Sequence, residues 1–190
     1  SAGTLRFDRR NGTGYGSAVV RPFMDLNNDG VLGEGEEILP GLKARISGVG
    51  GRPIGRGSLF YYDGLRPYDT YMIQVDATTL DNPMLRPAYE NFEVSVNPNV
   101  VTTVDVPVVM AADISGSIER QTPSGNVGIG GMTLHIINLS NDVVTEITTF
   151  SSGQYYFLGL LPGKYRAYVD PAQLEQYGYQ SEPKAREFEV

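Results

Sequence analysis

Cysteine and tryptophan are absent from this 190-residue sequence, and histidine occurs once, as His135. Without cysteine there is no disulfide framework, no thiolate metal site and no cysteine nucleophile. No apolar run approaches the ~20 residues that cross a membrane as a helix. Basic residues are scarce: 15 Lys and Arg against 22 Asp and Glu leave a net charge of −7. That balance argues against nucleic-acid partners, because binding a phosphate backbone needs clustered Lys and Arg. No secretory leader is recognisable, and the opening Ser1-Ala2-Gly3 reads as the start of a segment cut from a longer chain. Gly-x-Ser-x-Gly, His-Glu-x-x-His and Gly-rich phosphate loops are all missing, so the sequence reads as non-enzymatic.

What is present is the material of a β protein. Hydrophobic residues make up 41 %, enough for a real core, and 23 Gly with 12 Pro imply many short elements joined by turns. The period of the pattern is two. Leu42, Ala44 and Ile46 alternate with Lys43 and Arg45; Tyr71, Ile73 and Val75 alternate with Met72, Gln74 and Asp76. Val104, Val106 and Val108 alternate with Thr103, Asp105 and Pro107. Such alternation predicts strands with one face inward and one wet. Gly48–Pro53 and Ser140-Asn141-Asp142 read as turns. Single helical turns are expected at Thr79-Leu80-Asp81 and at Ala172–Glu175, and nothing longer. The fold class is all-β, built as antiparallel sandwiches.

The chain also repeats itself. Gly64-Leu65, Pro67, Tyr71, Val75-Asp76 and Leu80 line up with Gly159-Leu160, Pro162, Tyr165, Val169-Asp170 and Leu174. Phe92-Glu93-Val94 answers Phe188-Glu189-Val190, Gly41-Leu42 answers Gly131-Met132, and Gly16-Ser17 answers Gly116-Ser117. A repeat of this length means two tandem domains, since solenoid units run ~20–50 residues. The domains are placed at 14–109 and 111–190, joined through Met110-Ala111-Ala112, a link short enough to predict only a limited hinge. Residues 1–13, with Thr4-Leu5-Arg6-Phe7, read as the last strand of a preceding unit.

The residues that set the first copy apart are Asp25-Leu-Asn27-Asn-Asp29-Gly30-Val31-Leu-Gly-Glu-Gly-Glu36. Oxygen side chains fall at loop positions 1, 3 and 5, Gly30 at 6, the Val31 carbonyl at 7 and Glu36 at 12. Ca²⁺ takes six to eight oxygens, and this spacing wraps them around one point. Position 9 is Gly33, where water would stand in. The expected metal ligands are therefore Asp25, Asn27, Asp29, Val31 and Glu36; the competing reading is an acidic Asn/Gly turn.

With Val20–Met24, Leu39 and Gly41 around it, this loop resembles the B-type repeats of bacterial surface adhesins of the serine-aspartate family, although that family usually has Asp where Gly33 stands. The second copy, through Gly153–Phe157 and Leu160-Leu161-Pro162-Gly163-Lys164-Tyr165, is similar to carboxypeptidase regulatory-like (transthyretin-like) domains. The pair also resembles, more loosely, the globular modules of usher-type outer-membrane assembly proteins. These resemblances imply tandem Greek-key sandwiches of transthyretin-like, Ig-like kind. They also imply an extracytoplasmic setting, on a bacterial surface, secreted or tied to an outer membrane.

Other side chains are read more plainly. His135 lies between Leu134 and Ile136, so it is expected to face solvent with no carboxylate partner. Lys43 is expected outward in water. Each of the adjacent pairs Tyr61-Tyr62 and Tyr155-Tyr156 should send one ring inward and one outward. With Tyr168, Tyr177 and Tyr179 they leave open a saccharide- or protein-binding surface. The second copy has no counterpart of Val100–Val106, so either the copy ends there or the sheet edge beside Glu187–Val190 is open to a partner's strand, Thr4–Asp8 of another copy being a candidate for self-association. The sequence thus predicts a non-enzymatic structural or spacer module whose first domain is braced by Ca²⁺. An adhesion module for carbohydrate or protein is the alternative.

Overall fold

The computed structural model describes residues 14–54 and 59–190, so the strand expected within residues 1–13 lies outside the described residues. The chain divides into two compact units. The first comprises the described residues up to Pro83 together with Pro87–Val108, the second Met84–Arg86 together with Val109–Val190.

The strands up to Met110 are β1 (Gly16–Met24), β2 (Lys43–Ile46), β3 (Gly51–Ile54), β4 (Leu59–Leu65), β5 (Thr70–Asp76), β6 (Leu85–Pro87), β7 (Asn91–Ser95) and β8 (Val101–Met110); all belong to the first unit except Leu85 and Arg86 of β6 and the last two residues of β8. They form a sheet ordered β3-β4-β1-β8-β6 and a sheet ordered β2-β5-β7. The alternation forecast at 42–46 holds: Leu42, Ala44 and Ile46 are buried while Lys43 and Arg45 are exposed. Tyr62 is the largest fully buried side chain, and its hydroxyl crosses from β4 to donate to the Ala44 carbonyl of β2 at 2.5 Å. The core therefore lies between the two sheets, and burial pushes the Tyr62 phenol above its ordinary range.

Three features depart from the sequence reading. Along β8 the alternation gives way to continuous burial at Val106–Val109, where both faces of the strand are covered. Its pairing with β1 is parallel, unlike the antiparallel pairs around it, because the chain arrives from β7 in the opposite sheet and not through a hairpin. The expected turn at Gly48–Pro53 closes early, and Gly51 to Pro53 enter β3. That strand is at a sheet edge, the one place in a sheet where proline is tolerated.

The second unit contains β9 (Ala112–Ser117), a hairpin of β10 (Glu119–Thr122) and β11 (Gly125–Gly128), then β12 (Thr133–Asn138), β13 (Val144–Thr148), β14 (Gln154–Leu160), β15 (Lys164–Val169), α1 (Pro171–Tyr177) and β16 (Arg186–Glu189). Its sheets are β14-β9 and β13-β12-β15-β16. Leu134, Ile136, Ile147, Leu160 and Tyr165 fill the space between them. The helix is longer than the single turn expected. Asp170 caps it by accepting from the Gln173 N–H at 2.8 Å, Pro171 occupies its first turn, and Gly178 ends it in the left-handed conformation at φ 69°.

Strand pairing also shifts the internal alignment. Gly16 pairs with Leu65 as Ala112 pairs with Leu160, so the counterpart of Gly16 is Ala112, not Gly116. Tyr71 pairs with Val94 as Tyr165 pairs with Phe188, so Phe188 answers Val94. Where the first unit carries the Asp25–Glu36 loop, the second carries the β10–β11 hairpin.

Candidate metal centre

The Asp25–Glu36 loop hangs from the end of β1 and is clamped at its base. Met24 N–H donates to the Glu37 carbonyl at 2.8 Å, Leu39 N–H to that of Pro22 at 2.9 Å, and Asp25 N–H to that of Val108 at 2.9 Å. The sheet thus fixes the first ligand position before any ion is considered. Within the loop the acidic and amide side chains fold the backbone around themselves. Asp25 Oδ2 accepts from Gly30 N–H at 2.9 Å. Asn27 Oδ1 accepts from Asp29 N–H at 3.1 Å, and Asp29 Oδ1 from Val31 N–H at 2.8 Å. Asn27 Nδ2 donates to Asp29 Oδ2 at 2.8 Å. Glu36 reaches across the loop, its Oε1 accepting from Leu26 N–H at 2.9 Å and its Oε2 from Gly33 N–H at 2.8 Å. Gly30 takes φ 75°, the left-handed turn the loop requires at that point.

Asp25 stands apart from the other acids. Only 4 % of it is exposed, and its Oδ1 is buried with no hydrogen-bond partner. A carboxylate oxygen removed from water with no donor carries a desolvation cost of roughly several kcal/mol unless an opposite charge compensates it. A hard divalent cation is one partner whose charge would compensate that oxygen. In kind and order Asp25, Asn27, Asp29, the Val31 carbonyl and Glu36 suit Ca²⁺. Their carboxylates are not gathered, however: among the described residues no three His, Cys, Asp or Glu side chains form a group able to hold a metal ion. The backbone amides hold Asp29 and Glu36 in their present places.

The expectation for His135 is overturned. Its side chain is only 14 % exposed, its Nε2 lies 2.9 Å from Asp170 Oδ2 and its Nδ1 3.6 Å from Glu146 Oε1, and its ring stacks on Tyr168 at 5.2 Å. β12 is flanked by β13 and β15, so a residue on its outer face is still covered by cross-strand neighbours. The His135 contact, with the Gln173 amide, holds the Asp170 carboxyl below the usual aspartate range. Asp170-Pro171 before Gln173, with Gly178 beyond, is the sequence signal that could have found this capped helix. Lys43 is exposed, as expected.

Of the tyrosine pairs, Tyr62 is buried while Tyr61 is half-buried and donates to Ser17 Oγ; Tyr155 packs against the core while Tyr156 is exposed. A groove of the second unit is lined by Tyr168, Leu174, Tyr179, Arg166 and Lys184 among others. Tyr177 and Tyr179 are tilted by 34°, so they do not form a flat stacking platform. Among the described residues no helix is long and apolar enough to cross a membrane.

No family model matches the chain, and no curated protein matches it. Among solved structures it is similar to a streptococcal ancillary pilin, with 12 % identity over 94 % of this chain and 59 % of that one, TM-score 0.40. It is also similar to GBS52, a minor pilin of Streptococcus agalactiae, with 10 % identity over 92 % of this chain and 90 % of that one, TM-score 0.43. A third likeness is to the Bacillus anthracis TIE protein, with 16 % identity over 93 % of this chain and 31 % of that one, TM-score 0.36. The chain thus spans 59 % of the first structure and about a third of the last. At these identities the likeness concerns all-β architecture alone.

Proposed function

We propose that this chain is a non-enzymatic, extracytoplasmic structural module, a spacer whose first unit is built to carry tension and is braced by Ca²⁺ in the Asp25–Glu36 loop. The observation that carries the reading is the β1–β8 pair. The two strands run parallel through eight registered positions, from Ser17↔Val101 to Met24↔Val108. The chain enters the unit at the start of β1 and leaves it at the end of β8, at opposite ends of a ribbon ~25 Å long. Tension along the chain therefore shears β1 against β8 and loads their hydrogen bonds together, instead of peeling them one at a time. Arg21 and Asp105 add a paired-contact ion bridge across the same two strands, at 2.6 and 2.9 Å. The Asp25 N–H bond to Val108 ties the loop to the exit end of that ribbon, so an ion there would stiffen the end where load arrives. The resemblances to B-type adhesin repeats and to carboxypeptidase regulatory-like domains agree with this reading.

Single-molecule pulling tests it. Because the chain has no cysteine, handles can be attached at Tyr15→Cys with Met110→Cys, which shears the pair, or at Tyr15→Cys with Val100→Cys, which unzips it; all three sites are exposed. The shear geometry is expected to break at the higher force, since forced unfolding follows the barrier to unfolding. Equal forces in the two geometries would remove the basis for a tension-bearing role.

A further inference from the structure

β13 borders the sheet β13-β12-β15-β16 and, among the described residues, is paired by β12 alone. Asn138 N–H donates to the Val143 carbonyl and Thr149 N–H to the Met132 carbonyl, both at 2.9 Å, at the two ends of that pairing. An antiparallel ladder changes its bonding side at every residue, so Thr145 and Ile147 bond to β12 between those ends. Val144, Glu146 and Thr148 therefore turn their N–H and C=O groups to the open side. Folded proteins blunt such edges with lysine, other charges or proline. The edge strands β2, β3 and β6 do so, with Lys43 and Arg45, with Pro53, and with Arg86 and Pro87. β13 does not. The run Val143-Val-Thr-Glu-Ile-Thr-Thr-Phe150 is β-branched or aromatic at every position but Glu146, and it holds no lysine and no proline. Val143, Val144 and Phe150 are apolar and yet 57, 47 and 61 % exposed.

We infer that the open side of β13 is a pairing edge, and that its occupant is β13 of a second copy of this chain, added antiparallel about a two-fold axis at Ile147. This goes beyond the tension-bearing reading and does not depend on it. The occupant follows from how well the edge complements itself. Only Val144, Glu146 and Thr148 offer main-chain groups, and that restricts the registers in which two such edges can bond. An axis at Glu146 would set two glutamates directly opposite each other, and like charges in that position repel. An axis at Thr145 would set Thr148 against Asp142, which lies in the turn at φ 56° and so continues no strand. An axis at Ile147 avoids both. Glu146 then bonds with Thr148 of the second copy, and Thr148 with its Glu146. On the outer face Val144 meets Phe150 of the second copy, an aromatic against a β-branched side chain, which is a favourable cross-strand pair. On the inner face Ile147, which belongs to the core cluster with Leu134 and Ile136, meets its own twin. Main-chain hydrogen bonds give such an addition its affinity and the alternate side chains its specificity. The same surface is used by both copies, so the contact is isologous and closes at a dimer.

Sedimentation velocity of the whole chain across a wide concentration range is the test. The intact protein should show a reversible monomer–dimer equilibrium that stops at the dimer. Thr148→Pro deletes an outward N–H from each copy at a sheet edge where proline is tolerated, and should weaken dimerisation at least about 10-fold. Val144→Lys changes only an exposed side chain and should weaken it too. Disulfide capture reads the register, because the chain has no cysteine of its own. An equimolar mixture of Glu146→Cys and Thr148→Cys chains should crosslink under mild oxidation, since residues facing each other in a bonded antiparallel pair lie ~5.5 Å apart at Cα, within disulfide reach. Either variant alone should stay reduced. Thermal melting of Thr148→Pro checks that the second unit still folds; if it does not, Val144→Lys and the crosslinking decide. A chain that is monomeric at every concentration, association that continues past the dimer, a dimer indifferent to Val144→Lys, or a mixture that crosslinks no better than its single components would overturn the inference.

Discussion

Replacing Asp25 by Asn separates a metal-binding loop from an acidic turn. The asparagine keeps an oxygen to accept the Gly30 N–H but removes the charge from a side chain that is 4 % exposed and whose Oδ1 lacks a donor. Extracellular calcium sites commonly have dissociation constants of ~10⁻⁴–10⁻³ M. In about 2 mM calcium, binding to the native state alone then adds about 0.6–1.8 kcal/mol, which moves the melting of a unit of this size by roughly 3–10 °C. The wild-type chain should therefore show two calorimetric transitions, of which only the first unit's rises with calcium and falls back in chelator. Asp25→Asn should lose that response. In chelator it should be at least as stable as the wild type, because an uncompensated buried charge has been removed. Glu36→Gln should lose the response as well. A wild-type first transition indifferent to calcium, or an Asp25→Asn transition that still follows it, would reduce the loop to an acidic turn.

Further outcomes follow from individual contacts. Tyr62→Phe removes the bond to the Ala44 carbonyl without changing the packed ring, and should lower stability of the first unit by about 1 kcal/mol in denaturant titration, with no change in slope. Asp105→Asn breaks the paired contact to Arg21; with both side chains a third exposed, the equilibrium loss should be at most about 1 kcal/mol, while the shear-geometry rupture force falls measurably. Asp170 has its carboxyl held low by His135 and the helix amides, so its contribution is present above the ordinary aspartate range and is lost as pH falls through the lowered value. Acid titration of the second unit should thus show a loss of stability below about pH 4 that Asp170→Ala abolishes, read by circular dichroism.

Sequence alone sets the fold class and the residue types that fold the Asp25–Glu36 loop upon itself. Those depend on local facts: a period of two puts Leu42, Ala44 and Ile46 on one face whatever the neighbours, and the loop's acceptors reach backbone amides no more than ten residues away. Tertiary structure decided everything that depends on which strand lies beside which. Nothing in Val101–Met110 announces a parallel partner 84 residues earlier, yet that pairing places β8 beside β1 through eight registered positions. His135 looked solvent-facing because alternation reports only the face a side chain takes; β13, β15 and the helix cap at Asp170 supply the cover.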